Sequence, residues 1–540
     1  MSDPTQADLR DVAAHLAPLW QQHSYTSQGL ADYLGPSATA ALYRGEPGAV
    51  RFRLEERANT TGSSPKIDPL HTWIRLLILG DSLPTSTLHS LMSPELFQLC
   101  TITGLLVYQP DHPEQWQCPI DIRPHHLSGL NHWVFSDRDA SMHQHTPSTD
   151  HVLGVGAASL SLLNATPTTP VSRLLDLGCG SGIQALGQWS CAQEIIATDI
   201  HAPALRYAEA TFASAQALHP RSKEVQLRLG PWFEPVQGET FDRIVANPPF
   251  VVGPPDIGHV YRDSGLDLDG ATQLVITQSC QHLAPGGQAF LLGAWVHQEK
   301  LPWQHRVSAW LPDHGFNAWV IQRDNVDPEL YVGTWLKDEG LDPRSSLAQS
   351  RSAQWLQHFS QAGVNSIGFG IIAIERLADH HPSEVVAEEI PQPLRDPLGP
   401  EIAEYFTRTT WLREHSSEEL RHSLFQVRPN VAKEEISVRD RDTGMGFRPA
   451  VTRLTRTDGP QFSHEIDDAL ASIISGLQPE GMTLYEVAEL YATVQGLDLE
   501  EPVDGSCLLE QVETAVVDLI RHGLVLPADL VSDSDEGKDL

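Results

Sequence analysis

Two features of this 540-residue chain place chemically useful residues together, and the first is a glycine-rich turn. In RLLDLGCGSG, Arg173–Gly182, an apolar strand ends in Asp176 and runs into three glycines with a two-residue period. Gly178, Gly180 and Gly182 let the backbone turn sharply into a helix and let a ligand approach the main chain closely. This pattern predicts a binding site at the end of a strand.

A second strand, EIIATDI, supplies another carboxylate to the same predicted site. It ends in Asp199 and Ile200, and Asp199 follows Asp176 by 23 residues. That spacing fits one βαβ step and puts Asp199 at the carboxyl end of its strand, where it can bind a ribose diol. A dinucleotide or an adenosyl cofactor would suit both carboxylates. We count Ile200, and Cys179 in the glycine turn, among the predicted cofactor contacts.

The letters DLGCGSG depart from the dinucleotide fingerprint GxGxxG. They resemble motif I of the class I S-adenosylmethionine-dependent methyltransferases. That cofactor carries no phosphate, so its loop needs no third helix-facing glycine. The resemblance implies S-adenosyl-L-methionine as the cofactor, with Asp176 facing its cationic methionine portion.

The second feature is DRIVANPPFVVG, Asp242–Gly253, in which a predicted strand is followed directly by an asparagine, two prolines and a phenylalanine. It resembles the (N/D)PP(F/Y/W) motif of methyltransferases that modify planar nitrogens, which are poor nucleophiles because their lone pair is delocalised. Asn247 and the Pro248 carbonyl can each accept one N–H bond, and Pro248 and Pro249 preorganise both acceptors. Phe250 offers a ring on which a flat substrate group can stack. These four residues are the predicted catalytic set, and Asn247 is also a predicted cofactor contact.

The residues around this motif narrow the resemblance to two groups of methyltransferases. WFEPVQGETFDRIVANPPFVV is similar to the release-factor glutamine methyltransferases and to the small-domain ribosomal-RNA guanine-N2 methyltransferases, over about 140 to 300 with a looser match near 375. Pro231 stands where the family often has an acid that binds the adenine amino group, so either backbone groups near Trp232 or a different side chain would replace it. HTPSTDHVLG resembles the stretch that lies over the cofactor, which implies contacts from Thr149 and Asp150.

The loop that follows the NPPF motif is open to two interpretations. In YRDSGLDLDGATQ, Arg262, Asp263 and Asp269 could shape the substrate entrance, or could belong to a solvated loop. The flanking regions of the chain resemble those attached to actinobacterial methyltransferases, but they carry no defining motif.

Composition limits the classes of function. Acidic residues outnumber basic ones 70 to 36, a formal charge of −34 that repels nucleic acid at long range without excluding a local basic groove. No stretch offers the roughly 18 apolar residues of a membrane helix, and the N-terminus has no signal-peptide pattern. We therefore expect a cytoplasmic protein without a membrane partner.

Other site types find no support in the sequence. The six cysteines lie far apart without a CxxC pair, and the close histidine pairs lack partners at ligand spacing, so neither a metal site nor a disulfide framework is expected. GxSxG, P-loop and HExxH patterns are absent, which argues against serine hydrolases, NTPases and metalloproteases.

The sequence predicts three domains and a C-terminal tail. Short helices before a β-hairpin predict a winged-helix-like domain over 1–138. Alternating apolar strands and helices over 139–380 predict an α/β, Rossmann-like doubly wound parallel sheet, with a helical insertion at about 324–365. A second α+β winged-helix-like domain is expected over 381–528, and a disordered acidic tail over 529–540.

Four functions fit these features. The first is methylation of a glutamine side-chain amide in a protein partner such as a release factor. The second is methylation of the exocyclic amine of an RNA or DNA base, of guanine-N2 or adenine-N6 type, which NPPF allows equally. The third is a winged-helix regulator whose core only senses the cofactor, against which an intact Asn247 argues. Small-molecule N-methylation suits so long a chain less well. The oligomeric state is not determined by the sequence.

Overall fold

The computed structural model describes residues 8–60, 68–109, 112–143, 150–222, 224–255, 264–378, 381–394, 397–502 and 506–535. Thr149, Arg262 and Asp263 therefore lie outside the described residues. Contacts within the chain define two compact units. The first comprises residues 1–163 and 168–389, and the second comprises 164–167 and 390–540.

The N-terminal part of the first unit is helical and ends in short antiparallel strands. Its helices are α1 (Leu9–Gln22), α2 (Ser27–Tyr43), α3 (Pro47–Thr60), α4 (Pro69–Trp73), which continues into a π-helical turn (Ile74–Ile78), α5 (Thr85–Leu91) and α6 (Pro94–Ile102). Its strands are β1 (Leu83–Pro84), β2 (Val107–Gln109), β3 (His112–Gln117), β4 (Asp121–Leu127) and β5 (Leu130–Ser136). The order β1-β3-β2 forms one sheet, and β4 pairs with β5 in a hairpin.

The larger part of the first unit alternates strands and helices. The helices are α7 (Ala157–Ala165), α8 (Ile183–Gly187), α9 (Ala202–Leu218), α10 (Gly270–His282), α11 (Trp303–Ser308), α12 (Pro328–Asp338) and α13 (Ser346–Ala362). The strands are β6 (Val171–Leu177), β7 (Ala192–Asp199), β8 (Gln226–Leu229), β9 (Phe241–Ala246), β10 (Leu283–Gln298), β11 (Phe316–Val326), β12 (Val364–Arg376) and β13 (Glu384–Glu389).

These eight strands form one sheet in the order β13-β11-β12-β10-β9-β6-β7-β8. This confirms the predicted Rossmann-like doubly wound α/β sheet. The expectation of an all-parallel sheet was wrong for β12, which runs antiparallel to both β10 and β11. An apolar run shows that a strand is buried on both faces, but it carries no information about the direction of the strand.

The strand order reverses at β6, which lies between β7 and β9. Leu177 at the end of β6 pairs with Thr198 of β7 on one side and with Ala246 of β9 on the other. The three loops that leave these strands therefore start at one edge of the sheet. In open α/β sheets, ligands bind in the crevice at such a switch point.

Helix α9 is shared between the sheet and the N-terminal part. It contacts β7 and β8 on one side and α1 and β5 on the other. The backbone N–H of Phe135 donates to Thr211 Oγ1 at 3.2 Å, and Ser214 Oγ donates to the Trp133 carbonyl at 3.5 Å. Because this contact is buried, the stretch predicted as a separate domain over 1–138 belongs to the same compact unit as the sheet.

The second unit combines helices with two small sheets. Its helices are α14 (Gly399–Glu414), α15 (Ser417–Arg421), α16 (Asp468–Ser475), α17 (Leu484–Gln495), α18 (Leu508–Arg521) and α19 (Ala528–Asp535). Its strands are β14 (Phe425–Val427), β15 (Val431–Arg439), β16 (Phe447–Arg456), β17 (Ser463–Ile466) and β18 (Val525–Pro527). One sheet pairs β14 with β18, and the other has the order β15-β16-β17.

A buried ion pair network lies inside this second unit. Glu401 accepts hydrogen bonds from Arg408 at 2.7 Å and from Arg456 at 2.5 and 2.9 Å, and all three side chains are buried. Burial opposes ionisation of Glu401, but the two guanidinium groups outweigh it and lower the pKa of the carboxyl. Buried charges are tolerated when they are paired in this way.

Two expected boundaries differ from the structure. The segment 384–389, placed in the C-terminal domain from its Pro- and Glu-rich surroundings, is strand β13 and pairs with β11. Residues 528–535 form α19, whereas a disordered tail was expected from 529, and residues 536–540 lie outside the described residues. The winged-helix assignments of the two flanking regions stay predictions.

Candidate functional site

The glycine turn between β6 and α8 has the conformation that its sequence predicts. Gly178, Gly180 and Gly182 have φ of +67°, +52° and +87°, a region that residues with a Cβ rarely adopt. The backbone N–H of Cys179 donates to the Thr198 carbonyl at 2.8 Å, which ties the turn to β7. The three predicted glycines and Cys179 therefore lie together beside the ends of β6 and β7.

Gly182 has a second requirement, because a Cβ placed there would lie 2.6 Å from Cζ of Phe212 on α9. We expect Gly182→Ala to lower the free energy of unfolding by about 1–2 kcal/mol for the left-handed backbone and by about 1–3 kcal/mol more for overpacking. Gly178→Ala is the matched control, since no described atom lies within 4 Å of its Cβ position. Urea unfolding of both variants measures the difference, and equal losses would contradict the contact with Phe212.

Asp199 fastens the turn to the end of β7. Its Oδ2 accepts from the Gly180 N–H at 2.9 Å and its Oδ1 from the His201 N–H at 2.8 Å. Burial raises the pKa of this carboxyl, although the two backbone N–H groups oppose the rise. Each carboxylate oxygen keeps a further lone pair that can accept from a diol.

Two large apolar side chains are exposed next to Asp199. Ile200, which follows it, is 59% exposed, and Leu229 at the end of β8, which pairs with Asp199, is 60% exposed. Exposed aliphatic groups of this size beside a carboxylate offer an apolar surface for a flat ring. Ile200 was a predicted contact, and Leu229 is added by the pairing of β7 with β8.

Asp176 is buried, and only one of its two carboxylate oxygens accepts a hydrogen bond. Its Oδ2 accepts from the Ala185 N–H of α8 at 2.9 Å. Its Oδ1 is buried and has no hydrogen-bond partner among the described residues. Burial raises the pKa of this carboxyl to about 7. A buried oxygen without a partner is costly in a folded protein and suits a site that a donor or cation completes.

The segment before β6 lies against the glycine turn and α8. Ser181 Oγ donates to the Leu153 carbonyl at 2.8 Å, and Gln184 Nε2 donates to the Ser159 carbonyl at 2.9 Å. Leu153 belongs to HTPSTDHVLG, the stretch that the sequence predicts to lie over the cofactor. Asp150, at the start of the described part of that segment, is exposed.

Asn247, Pro248, Pro249 and Phe250 follow β9 at the same edge of the sheet. The Asn247 amide nitrogen donates to Ser159 Oγ at 3.4 Å, which orients the amide. In the described part of the chain, neither Asn247 Oδ1 nor the Pro248 carbonyl accepts a hydrogen bond. Both acceptors of the predicted clamp are therefore available to an external N–H donor.

The insertion between β11 and β12 supports the chain after the NPPF motif. The backbone N–H of Val252 donates to the phenol oxygen of buried Tyr331 on α12 at 2.6 Å. A Cβ at Gly253 would lie 3.1 Å from the ring of Trp355 on α13, and half-buried Phe250 packs on the same cluster. The two helices thus fix the backbone that positions Phe250.

Pro231 places no carboxylate at the position where the resemblance implies recognition of adenine. Trp232 is half-buried and has φ of +47°, a strained value for a residue with a side chain. Within the described residues, the backbone N–H groups of Trp232 and Phe233 donate to no acceptor. These two N–H groups could donate hydrogen bonds to an adenine ring, in place of the carboxylate that is missing at Pro231.

Asp269 matches neither interpretation of its loop. It is buried, its carboxylate accepts from Arg306 at 2.6 and 2.7 Å, and its Oδ2 also accepts from the Val296 N–H at 3.0 Å. Asp269 therefore ties the start of α10 to β10 and α11, whereas a role at the substrate entrance or in solvent was expected. Because burial depends on packing, no local pattern in the sequence indicates this pair.

Ser159 and Tyr331 carry no sequence signal that marks them as site residues. Ser159 lies in a run of small and apolar residues on α7, and Tyr331 lies 84 positions after Asn247 in the insertion. Each is recognised only through its contact with the NPPF segment.

In the described parts of the chain, no group of three or more His, Cys, Asp or Glu side chains could hold a metal ion. In the same parts, every helix is too short or too polar to cross a membrane. Cys179 is buried, and burial raises the pKa of its thiol, so it is not an activated nucleophile.

Three family models match parts of this chain. Residues 153–313 match the family model described as "Methyltransferase small domain". Residues 22–115 and 403–527 match two further models, each described as a domain of unknown function. The first match spans the glycine turn, Asp199 and the NPPF motif.

Individual proteins are similar over part of this chain. A release factor glutamine methyltransferase of Xylella fastidiosa is 36% identical over 138 residues, which are 23% of this chain and 47% of that protein. A bifunctional methyltransferase of Rickettsia prowazekii is 27% identical over 183 residues, 31% of this chain and 33% of that protein. This chain thus spans about half of the length of the release factor enzyme. A 16S rRNA N2 methyltransferase of T. thermophilus, solved with AdoMet and guanosine, is 21% identical with a TM-score of 0.23, covering 38% of this chain and 54% of that chain.

Proposed function

We propose that this chain, whose residues 153–313 form a methyltransferase small domain of the class I S-adenosylmethionine-dependent methyltransferases, methylates the side-chain amide of a glutamine in a protein partner. The observation that carries the proposal is the hydrogen bonding of the Asn247 side chain. Its amide nitrogen is held by Ser159, while its oxygen and the Pro248 carbonyl remain available beside the glycine turn.

The residues around the glycine turn fit S-adenosylmethionine. The unpartnered Oδ1 of Asp176 suits a cationic amino group, and Asp199 suits the ribose diol. Ile200 and Leu229 would contact the adenine ring, and the backbone N–H groups near Trp232 would bind its nitrogens. When bound, the cofactor supplies an electrophilic methyl group on a sulfonium.

The NPPF residues would hold the acceptor nitrogen. Asn247 Oδ1 and the Pro248 carbonyl would each accept one N–H of a carboxamide, which turns the nitrogen face toward the methyl donor. Phe250 would stack on the planar amide. Because the proton can leave after methyl transfer, these residues need to orient the nitrogen and not to act as a strong base.

Charge and relatives favour a protein acceptor. The net charge of −34 opposes binding to the phosphate backbone of a nucleic acid, whose affinity for proteins comes largely from Lys and Arg. Release factor glutamine methyltransferases, whose name gives a protein side chain as the acceptor, are among the proteins that this chain resembles. We therefore place the acceptor in a protein, with the cytoplasm as the expected compartment.

The acceptor class is tested by incubating the chain with tritium-labelled S-adenosylmethionine and a cell lysate, and by then treating samples with nuclease or protease. We expect label that survives nuclease, is lost with protease, and is found by mass spectrometry on a glutamine. Asn247→Ala, run in parallel, controls for other methyltransferases in the lysate. Label that survives protease and is lost with nuclease would reject the protein acceptor in favour of a nucleic-acid base.

Cofactor binding is expected to weaken as the pH falls through about 7. Burial raises the pKa of the Asp176 carboxyl to about 7, so this carboxyl is protonated below that pH. The cationic amino group of the cofactor can then bind only if the carboxyl loses its proton. Affinity should therefore decrease by up to about tenfold per pH unit below 7. Calorimetry between about pH 6 and 8, in buffers of different ionisation enthalpy, measures both affinity and proton release. Asp176→Asn provides the baseline for the titration of the cofactor itself, and equal slopes in the two proteins would contradict the assignment.

A further inference from the structure

The second unit exposes two apolar surfaces of opposite charge. The first is the hairpin tip, residues 437–450, where β15 turns into β16. Met445 and Phe447 in this tip are 80% and 76% exposed, and Val438 is 43% exposed. The second is the α17 face, formed by Leu490 and Val494 of α17 and by Leu497 just after the helix, which are 51%, 73% and 53% exposed. Large apolar side chains grouped in this way mark interaction sites.

The hairpin tip is locally basic in an acidic chain. It carries Arg439, Arg441 and Arg448 against Asp440 and Asp442. Among the described residues, Arg439 and Arg441 form no ion pair, while Arg448 lies 3.7 Å from Asp442. Both strands are exposed along the distal half of the hairpin, so the tip is free to contact another molecule. Methionine, arginine and aromatic residues together are the composition enriched at protein interfaces.

The α17 face lies in an acidic stretch of the chain. Residues 457–520 contain fourteen Asp and Glu residues and no Lys or Arg. On α17, exposed Glu486 and Glu489 precede Leu490, so that carboxylates border the apolar residues. Leu490 and Val494 are four positions apart and share one face of the helix. This face therefore combines the same kind of apolar surface with the opposite charge.

We propose that the hairpin tip of one copy of this chain docks on the α17 face of a second copy, so that the protein self-associates. The apolar side chains of the tip cover Leu490 and Val494, and the guanidinium groups of Arg439 and Arg441 meet the carboxylates of the α17 face. Because each copy carries both surfaces, two such contacts can close a symmetric dimer. The opposite charges favour this pairing over contact between two tips or between two helix faces.

Sedimentation of the full chain over a concentration series tests the proposal. We expect a species of about 119 kDa, twice the chain mass of 59.5 kDa, that dissociates on dilution and at high salt. The double variant Met445→Ser, Phe447→Ser should raise the dimer dissociation constant by about tenfold or more, as should Val494→Ser. Phe52→Ser is the matched control, because Phe52 is 69% exposed in the first unit and lies outside both surfaces.

A charge exchange identifies the pairing itself. Arg441→Glu and Glu489→Arg should each weaken the dimer. The chain that carries both changes should recover it, since the two exchanged charges would again attract each other across the contact. All these side chains are exposed, so the variants should fold, which circular dichroism checks. A monomeric wild type at all concentrations would overturn the proposal and leave the two surfaces to a different protein. A dimer unaffected by the tip and helix variants would overturn it as well.

Discussion

Asn247→Ala should reduce methyl transfer by about a hundredfold or more while S-adenosylmethionine still binds within a few-fold of the wild-type affinity. The change removes one of the two acceptors of the proposed clamp, so that the planar nitrogen would no longer be held facing the methyl donor. The predicted cofactor contacts at Asp176, Asp199 and the glycine turn are kept, and none of these groups hydrogen-bonds to the Asn247 side chain in the described structure. Transfer of labelled methyl groups measures the rate, and calorimetry measures the affinity.

Two further variants separate the clamp from a general loss of structure. Asn247→Asp keeps an oxygen in place of the lost acceptor and should retain more activity than Asn247→Ala. Ser159→Ala removes the hydroxyl that holds the Asn247 amide at 3.4 Å and should give a smaller loss than Asn247→Ala. Undiminished turnover in Asn247→Ala would show that the acceptor nitrogen is held elsewhere.

Asp199→Ala should weaken S-adenosylmethionine binding by about tenfold to a hundredfold, because hydrogen bonds to a charged group each contribute about 1.5–3 kcal/mol. Part of the loss arises through the glycine turn, since Asp199 also accepts from the Gly180 and His201 N–H groups. Calorimetric titration with the cofactor gives the affinity, and thermal unfolding without cofactor shows how much stability is lost.

Asp242→Ala is the matched control for Asp199. Asp242 also lies on a strand of the large sheet and accepts from a backbone N–H, that of Arg173 at 2.8 Å. It lies near the start of β9, at the opposite end of the sheet from the glycine turn. Its removal should lower stability without changing cofactor affinity. Equal loss of affinity in both variants, or none in Asp199→Ala, would contradict the assignment of the ribose site.

Much of the fold and the methyltransferase class followed from local patterns. The glycine turn requires positive φ at Gly178, Gly180 and Gly182, and glycine adopts such values at little cost. The three glycines in the sequence therefore predict the backbone conformation of the turn. The class predicted from this turn and from NPPF is confirmed by the family match over 153–313. The fold followed from the alternation of apolar strands and helices, which reflects burial of a sheet on both faces.

Features that depend on distant contacts were missed or misjudged. The direction of β12, the burial of Asp269 against Arg306, and the place of 384–389 in the large sheet all involve partners far away in the chain. The same is true of the N-terminal helices, whose association with α9 joins them to the first unit. A local pattern shows how much of a segment is buried, but it does not identify what covers it.

The sequence by itself determined the doubly wound sheet, the glycine turn and the NPPF motif, because each is set by the backbone preferences and burial of consecutive residues. Only the tertiary structure decided that Ser159 orients the Asn247 amide, that Tyr331 holds the following backbone, and that one oxygen of Asp176 has no partner among the described residues. The physical reason is that hydrogen bonds and packing between distant segments depend on where the sheet order reverses, and pairing between strands is not encoded within any one of them.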